Sequence, residues 1–277
     1  MLQMQYGICP LSVAPLRKEP SHKSEMVSQL LFGETFTILK QQEHWLEVKC
    51  THDAYIGWLD EKQCLPIPVK EYDRLLLSPC AYTTEPVQEM VFRSVHFPLL
   101  WGSSLPACSN KEGTINNLPY RCYGEVTSAA AGTAQPAQLL DYARTFLHAP
   151  YLWGGRTLFG IDCSGFTQLV FKVCNIPLQR DAYQQAQQGK LVLDFASVLP
   201  GDLLFFNNSS GKITHVGIAL GNGKIIHASG CVRIDGLKEQ GIFHSETGIQ
   251  THQLKLIKRL TPETPARTVK DFNRPAL

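Results

Sequence analysis

The sequence has no marked excess of charge of either sign and no long hydrophobic run. Its 277 residues include 26 lysines and arginines against 24 aspartates and glutamates, which gives a formal net charge of +2. Nucleic acids and anionic surfaces bind proteins through concentrated positive charge, so we expect no nucleic-acid partner. No window approaches the 18 or more apolar residues that a transmembrane helix needs, so we expect no membrane span.

Signals of export and of structural metal binding are also missing. The first twenty residues lack a basic start, an apolar core and a small-residue cleavage site, which predicts that there is no signal peptide. The nine cysteines include no Cys-x-x-Cys pair, which argues against a zinc ribbon or a dithiol redox site. An odd number of dispersed cysteines is typical of a reducing compartment, so we expect a cytoplasmic protein.

The first half of the sequence has the pattern of small β domains. Residues 30–39, 44–50 and 54–60 are short runs rich in β-branched and aromatic residues, separated by polar turns. This spacing predicts a small barrel over residues 1–67. The stretch 68–126 is similar but less regular and is punctuated by prolines, and we predict a second small β domain there.

The pattern changes in the second half, where we predict an α+β domain over residues 137–260. A plausible linker, 127–136, precedes it, and a polar tail, 261–277, follows it. Apolar residues at helical spacing predict helices at 136–147 and 163–174. Runs of alternating or continuous apolar residues then predict the strands of an antiparallel sheet, at 203–206, 213–220 and 224–229.

Cys163 is the candidate nucleophile because it begins a predicted helix. The unpaired amides and the dipole of a first helical turn favour a thiolate over a thiol. The same amides can donate hydrogen bonds to an oxyanion that forms beside the sulfur. Histidine has a pKa suited to moving the thiol proton, and His215 and His227 both lie in the following hairpin. His215 can act as the base, and His227 can orient it.

The hairpin register decides whether the two histidines share a face. A two-residue loop, Asn222-Gly223, would pair position 218 with His227 and would place the rings on opposite faces. A three-residue loop that begins at Gly221 would pair position 217 with His227 and would place both rings on one face, within roughly 8 Å. We predict the three-residue loop, with Gly223 supplying a positive φ.

Two other interpretations of these residues remain open at the level of sequence. Most cysteines in a chain like this one are small buried core side chains, and Cys163 could be another. Cys163, His215 and His227 are also metal-ligand types, although a zinc site built from them lacks a clear fourth ligand.

Several ordered motifs resemble those of the NlpC/p60 cysteine peptidases. They are the runs 150–155 (PYLWGG), 162–166 (DCSGF), 199–203 (LPGDL), 215–218 (HVGI) and 226–228 (IHA). The resemblance implies a papain-like α+β catalytic domain with a triad of Cys163, His215 and His227. It also implies that Tyr151 holds its hydroxyl near the oxyanion position, and it implies no metal and no cofactor.

The front half resembles bacterial SH3 domains, chiefly through Gly33-Glu34 and the run 55–58 (YIGW). Two SH3-like β-barrels ahead of an NlpC/p60 domain are similar to the γ-D-glutamyl-L-diamino-acid endopeptidases, which recycle murein peptides. The resemblance implies a murein peptide substrate with a free L-Ala amine before γ-D-Glu and a diamino acid. Enzymes that are secreted to act on intact peptidoglycan, and wall-binding proteins without activity, are the alternatives.

The same resemblance implies a set of substrate-binding residues. They are Tyr55, Asp162, Ser164, Asp181 and Glu25. Carboxylates among them would bind the substrate ammonium through charge-assisted hydrogen bonds. Each carboxylate also has a simpler interpretation, because Asp162 could only cap the helix and Glu25 could be a solvated surface charge.

Overall fold

The structure is a computed structural model that describes residues 5–128 and 136–260. The chain divides near residue 130 into two compact units. Residues 129–135, most of the predicted linker, and the predicted tail 261–277 lie outside the described residues.

The N-terminal unit is almost entirely β-structure. Its strands in chain order are β1 (Tyr6–Ile8), β2 (Val13–Arg17), β3 (Met26–Leu31), β4 (Thr35–Gln42), β5 (Trp45–Cys50), β6 (Ile56–Asp60), β7 (Leu65–Ile67), β8 (Cys80–Thr83), β9 (Val87–Phe92), β10 (Val95–Leu100), β11 (Ser104–Pro106), β12 (Glu112–Ile115), β13 (Leu118–Tyr123) and β14 (Val126–Ser128). One helix, α1 (Val69–Leu77), lies between β7 and β8.

The first seven strands form one antiparallel sheet in the order β3-β2-β6-β5-β4-β1-β7. Side chains alternate between buried and partly exposed along β5, the pattern of a strand with one face on a core. The core under this sheet is apolar, with the fully buried Leu16, Leu30, Phe36 and Leu59 among its members. The short strands that the sequence predicts in this region are therefore present.

The rest of this unit differs from the prediction at one element, α1, which lies in a stretch predicted to be β throughout. Tyr72 and Leu75 are three residues apart and are the buried positions of α1, so helical spacing was present in a short run. The remaining strands form two sheets, in the orders β10-β9-β13-β12 and β11-β8-β14. Phe32, which follows β3, packs against Phe92 and Tyr120. It therefore links the first seven strands to the hydrophobic core of the two later sheets.

The C-terminal unit begins with helices and ends in a sheet, as the sequence predicts. Its helices are α2 (Pro136–Thr145), α3 (Cys163–Val173) and α4 (Ala182–Gln185). Its strands are β15 (Arg156–Thr157), β16 (Gly160–Ile161), β17 (Lys190–Val192), β18 (Leu203–Asn207), β19 (Ile213–Gly221), β20 (Lys224–Ser229), β21 (Cys231–Lys238), β22 (Gly241–Phe243) and β23 (Gln250–Arg259).

The sheet of this unit has the strand order β17-β23-β18-β19-β20-β21-β22, and β22 also pairs with β23. All pairings in it are antiparallel. Every residue of α3 is buried, so this helix is the centre of the domain rather than a surface element. The α+β fold class is therefore confirmed. In the described residues, no helix is long and apolar enough to cross a membrane.

Candidate functional site

Cys163 is the first residue of α3, where the sequence places it. Asp162 caps the helix, with extended backbone and a side-chain oxygen that accepts the Gly165 amide at 2.6 Å. The preceding loop approaches closely, because a Cβ added to Gly165 would lie 2.4 Å from the carbonyl oxygen of Gly155. Glycine at 165 therefore lets the nucleophile turn pack against the start of α3.

Both oxygens of the Asp162 carboxylate accept hydrogen bonds within the domain. Arg180 binds it in a bidentate manner, with Nη1–Oδ1 and Nη2–Oδ2 distances of 3.0 and 2.6 Å, and the Gly154 amide donates to Oδ2 at 2.8 Å. Arg180 also donates to the Ser164 hydroxyl at 3.0 Å. The capping interpretation of Asp162 is thus observed, whereas the roles of Asp162 and Ser164 in substrate binding stay predictions.

The sulfur of Cys163 interacts with the Ser164 amide at the start of α3 and with the Val216 amide on β19. The residue is buried, with 6% of its surface exposed. Burial raises the pKa of the Cys163 thiol to about 12, and the Asp162 charge adds to this effect. The Val216 and Ser164 amides and Arg180 act in the opposite direction. The expectation of a thiolate at the helix tip is therefore wrong for the free protein, because burial outweighs the amides.

This balance gives a testable pH dependence for alkylation by iodoacetamide. Because the thiolate reacts and the pKa is raised, we expect the rate at Cys163 to climb about tenfold per pH unit from about pH 7 to 9. The rate is measured by mass spectrometry of the peptide that carries Cys163. A plateau below about pH 7 would show a preformed thiolate and would contradict this assignment.

His215 and His227 lie on one face of the sheet, as the prediction requires, but through a different loop. Gly217 pairs with His227, which confirms the predicted register. The turn itself is only Asn222-Gly223, both with positive φ, and Gly221 pairs with Lys224. A bulge at position 220 inserts the extra residue that changes the register. The predicted three-residue loop is therefore wrong, and the bulge supplies the odd residue instead.

The two histidines form a relay that continues to a carboxylate. His215 Nε2 lies 2.8 Å from His227 Nδ1, and His227 Nε2 lies 3.1 Å from Asp235 Oδ2. Asp235 also accepts the Ser245 amide at 2.9 Å and Arg233 at 3.0 Å. Burial alone would raise the pKa of Asp235, but the hydrogen bonds from these three groups hold it well below its usual value. Asp235 is thus a fixed anion behind the relay.

Sequence reasoning missed Asp235, although its signal was present. In the β20–β21 pairing, His227 lies opposite Arg233, so Asp235 shares its face two residues further along. To recognise this, the register of the β20–β21 hairpin must be known. Its turn carries no signal as clear as Asn222-Gly223 in the β19–β20 hairpin.

Sequence reasoning also missed His252, a third histidine on β23. Its ring stacks on that of His215 with a centroid distance of 4.2 Å and an interplanar angle of 25°. Burial, with the neighbouring His227 and His252, lowers the pKa of His215 well below its usual value. Burial and His227 likewise lower the pKa of His252 to about 4. These two rings are therefore neutral near neutral pH, the form in which an imidazole can accept a proton.

Tyr151 belongs to the same site. Its side chain is about one-third exposed, and burial of the remainder raises the pKa of the hydroxyl to about 12. Charge at Cys163 and at Asp162 raises that pKa further, whereas the charge of Arg180 lowers it, so the phenol is electrostatically coupled to these three groups. The hydroxyl is therefore protonated near neutral pH and is available as a hydrogen-bond donor.

The other predicted binding residues are placed as follows. Asp181 begins α4, where its amide donates to Gln184 Oε1 at 3.0 Å. Tyr55 and Glu25 belong to the N-terminal unit, where Glu25 forms a largely exposed ion pair with Lys18 at 3.2 Å. The binding roles of Tyr55 and Glu25 stay predictions.

The arrangement can support nucleophilic acyl transfer. It combines a thiol at a helix tip, a neutral imidazole with an orienting partner, backbone amides beside the sulfur and a protonated phenol. Of the zinc ligands that the sequence suggested, His215 and His227 lie together with a third histidine, His252, and this group does not include Cys163.

The comparisons with known proteins agree with this site. The NlpC/P60 family model matches residues 148–250, and the bacterial dipeptidyl-peptidase SH3 domain matches residues 16–63. The assignment of the second β region as SH3-like stays a prediction.

Two curated relatives are γ-D-glutamyl-L-lysine dipeptidyl-peptidases. The one from Bacillus subtilis is 32% identical over 217 residues, which are 73% of this chain and 71% of the relative. The one from Bacillus cereus is 26% identical over 265 residues, which are 84% of this chain and 77% of the relative.

A crystal structure of an NlpC/P60 family protein from Bacillus cereus has the same fold. It superposes with a TM-score of 0.77 at 22% identity and covers 92% of this chain and 99% of its own. The family-model matches and the 32% identity to the Bacillus subtilis relative show that the chain belongs to the NlpC/P60 family of cysteine peptidases and carries a bacterial dipeptidyl-peptidase SH3 domain ahead of its catalytic domain.

Proposed function

We propose that this peptidase hydrolyses the γ-D-glutamyl–L-diamino-acid bond of free murein peptides that begin with L-Ala. The observation that carries the proposal is the relay from His215 through His227 to Asp235, on the strand whose Val216 amide reaches the Cys163 sulfur. The names of the two Bacillus relatives support the choice of bond. All nine cysteines are free thiols, which supports cytoplasmic recycling of wall peptides rather than action outside the cell.

The reaction begins with attack of the Cys163 sulfur on the amide carbon. Because the resting thiol is protonated and His215 is neutral, His215 takes the proton as the sulfur attacks. Amides at the start of α3 and the Tyr151 hydroxyl donate hydrogen bonds to the oxyanion. His215 then gives its proton to the departing amine, which leaves a thioester between Cys163 and the D-Glu side chain. Water activated by His215 hydrolyses this thioester.

His227 and Asp235 act on His215 without touching the substrate. Asp235 holds His227 through Nε2, so that Nδ1 is directed at His215 Nε2. This contact fixes the ring orientation of His215 and favours its positively charged form during the proton transfer. The pair therefore supplies the orientation that a third triad member gives.

Replacing Asp235 with Asn tests this relay. The change preserves size but removes the charge behind His227, so we expect kcat to fall about 10–100-fold while KM changes by less than about threefold. Steady-state kinetics over a range of pH measure it. Asp202→Asn is the matched control, since Asp202 is also buried and bound to an arginine, Arg259 at 2.7 Å, but lies outside the relay. An equal loss of kcat in both variants would contradict the role of Asp235.

Substrate selection is proposed to rest on Tyr55, Glu25, Asp162, Ser164 and Asp181. The L-Ala ammonium would bind carboxylates of this set through charge-assisted hydrogen bonds. Because Arg180 already balances the charge of Asp162, that carboxylate would orient the ammonium rather than supply net charge to it.

The free amine of the substrate gives a direct test of the proposed specificity. Acetylating the amine of L-Ala-γ-D-Glu-diaminopimelate removes a charged hydrogen bond, so we expect cleavage to slow about 10–100-fold. Mass spectrometry of released L-Ala-D-Glu measures the rates. Equal rates for the free and acetylated peptides, or preferential cleavage of insoluble sacculi, would instead favour a hydrolase of intact peptidoglycan.

A further inference from the structure

Three histidines from three strands converge beside the nucleophile. They are His215 on β19, His227 on β20 and His252 on β23, and one nitrogen from each lies within 4.8 Å of the others. Within residues 5–128 and 136–260, no other group of three or more histidine, cysteine or acidic side chains has its ligand atoms this close together. His252 is partly exposed, which gives the group a route to solvent.

The outer nitrogens of two of the rings are already held. His227 Nε2 lies 3.1 Å from the Asp235 carboxylate, and His252 Nδ1 lies 2.9 Å from the Thr251 hydroxyl. With His227 Nε2 and His252 Nδ1 as the protonated nitrogens, the lone pairs lie on His252 Nε2 and on His227 Nδ1, which accepts from His215 Nε2 at 2.8 Å. A histidine whose far nitrogen is bound to a carboxylate is the usual arrangement around protein-bound zinc, because that contact fixes the tautomer and makes the ligand more basic.

We propose that His215, His227 and His252 form an inhibitory binding site for Zn²⁺. Three imidazoles with an open fourth position match the preference of this ion for tetrahedral nitrogen and sulfur ligands. Water can take the fourth position.

Metal binding and catalysis are mutually exclusive at this site. Zinc–nitrogen bonds of about 2.1 Å set the ligand nitrogens about 3.4 Å apart, so the 2.8 Å hydrogen bond between His215 and His227 has to open. A neutral imidazole has one nitrogen lone pair, so once the metal takes that of His215 the ring has none left to accept the thiol proton. Bound Zn²⁺ therefore disables the base and its orienting partner together.

Direct binding tests the site independently of the peptidase reaction. Zn²⁺ is titrated by calorimetry into Cys163→Ala protein, in which the candidate nucleophile is absent, and into the double variant that also carries His252→Phe. Phenylalanine preserves a ring against His215 but removes a ligand, so we expect affinity to fall at least about 100-fold. His252→Gln is the second variant if the phenylalanine protein unfolds at a lower temperature. His148→Asn is the control, an exposed histidine whose positive φ suits asparagine.

Inhibition of peptide cleavage by Zn²⁺ is then compared among wild type, His252→Phe and His148→Asn, each relative to its own metal-free rate. One Zn²⁺ per chain in Cys163→Ala protein, weakened by the His252 variants and not by His148→Asn, supports the site. Equal Zn²⁺ affinity with and without His252 overturns it.

The inhibitory consequence rests on the proposed function. Binding without any peptide cleavage would leave the metal site intact and would count against the proposed function alone.

Discussion

Replacing Cys163 with Ala is expected to lower release of L-Ala-D-Glu from the free tripeptide by about 10⁴-fold or more. Without the sulfur no acyl-enzyme forms, and the remaining amides and imidazole can only assist direct attack by water. Mass spectrometry of the products over hours measures the residual rate. Because Cys163 is a small residue at a helix start, the variant should keep its thermal unfolding temperature within a few degrees.

Cys174→Ala is the matched control for this experiment. Cys174 follows the last turn of the same helix, is similarly buried, and its thiol pKa is likewise raised to about 12 by burial. It differs in lying at the other end of α3, away from His215. We expect Cys174→Ala to keep activity within about threefold. If Cys163→Ala protein turned over the tripeptide at the wild-type rate, Cys163 would not be the nucleophile.

Replacing Arg180 with Met is expected to lower the free energy of unfolding by about 3–5 kcal/mol. The change leaves the Asp162 carboxylate buried without its charged partner, because the side chains of this pair are only 1% and 8% exposed. Denaturant unfolding measures the loss. Since Asp162 also caps α3 at Cys163, we expect activity to fall in the fraction that remains folded.

Two variants separate the buried charge from other effects at this position. Arg144→Met removes the exposed Arg144–Asp141 pair, for which we expect a cost below about 1 kcal/mol. Arg180→Met combined with Asp162→Asn removes both charges, and we expect it to recover part of the lost stability. A cost for Arg180→Met no greater than that for Arg144→Met would show that the Asp162–Arg180 pair does not hold the helix start.

The elements that carry the chemistry could be predicted because their signals are local. The cap at Asp162, the apolar face of α3 and the Asn222-Gly223 turn each lie within a few residues. The register of β19 and β20 was predicted correctly for a wrong reason, since a bulge in a strand leaves no distinct residue pattern. Helix α1 was missed because nine residues with only two buried positions give little periodicity.

The contacts of His252 and Arg180 could not be predicted because they depend on packing between segments that are distant in the sequence. His252 reaches His215 only because β23 pairs with β18, which in turn pairs with β19. Arg180 reaches Asp162 across 18 residues that contain α3. The raised pKa of Cys163 has the same origin, since the degree of burial of a helix tip is set by packing rather than by the sequence near it.

Affinity labelling tests the central claim most directly. A chloromethyl ketone built on L-Ala-D-Glu places an electrophile where the scissile carbonyl would lie, and only a positioned thiol should displace its chloride. We expect one label per chain, mapped by peptide mass spectrometry to Cys163, prevented by excess tripeptide and slowed in the His215→Ala variant. A label that maps to one of the other eight cysteines, or the absence of labelling in protein that cleaves the tripeptide, would contradict the assignment of Cys163 as the nucleophile.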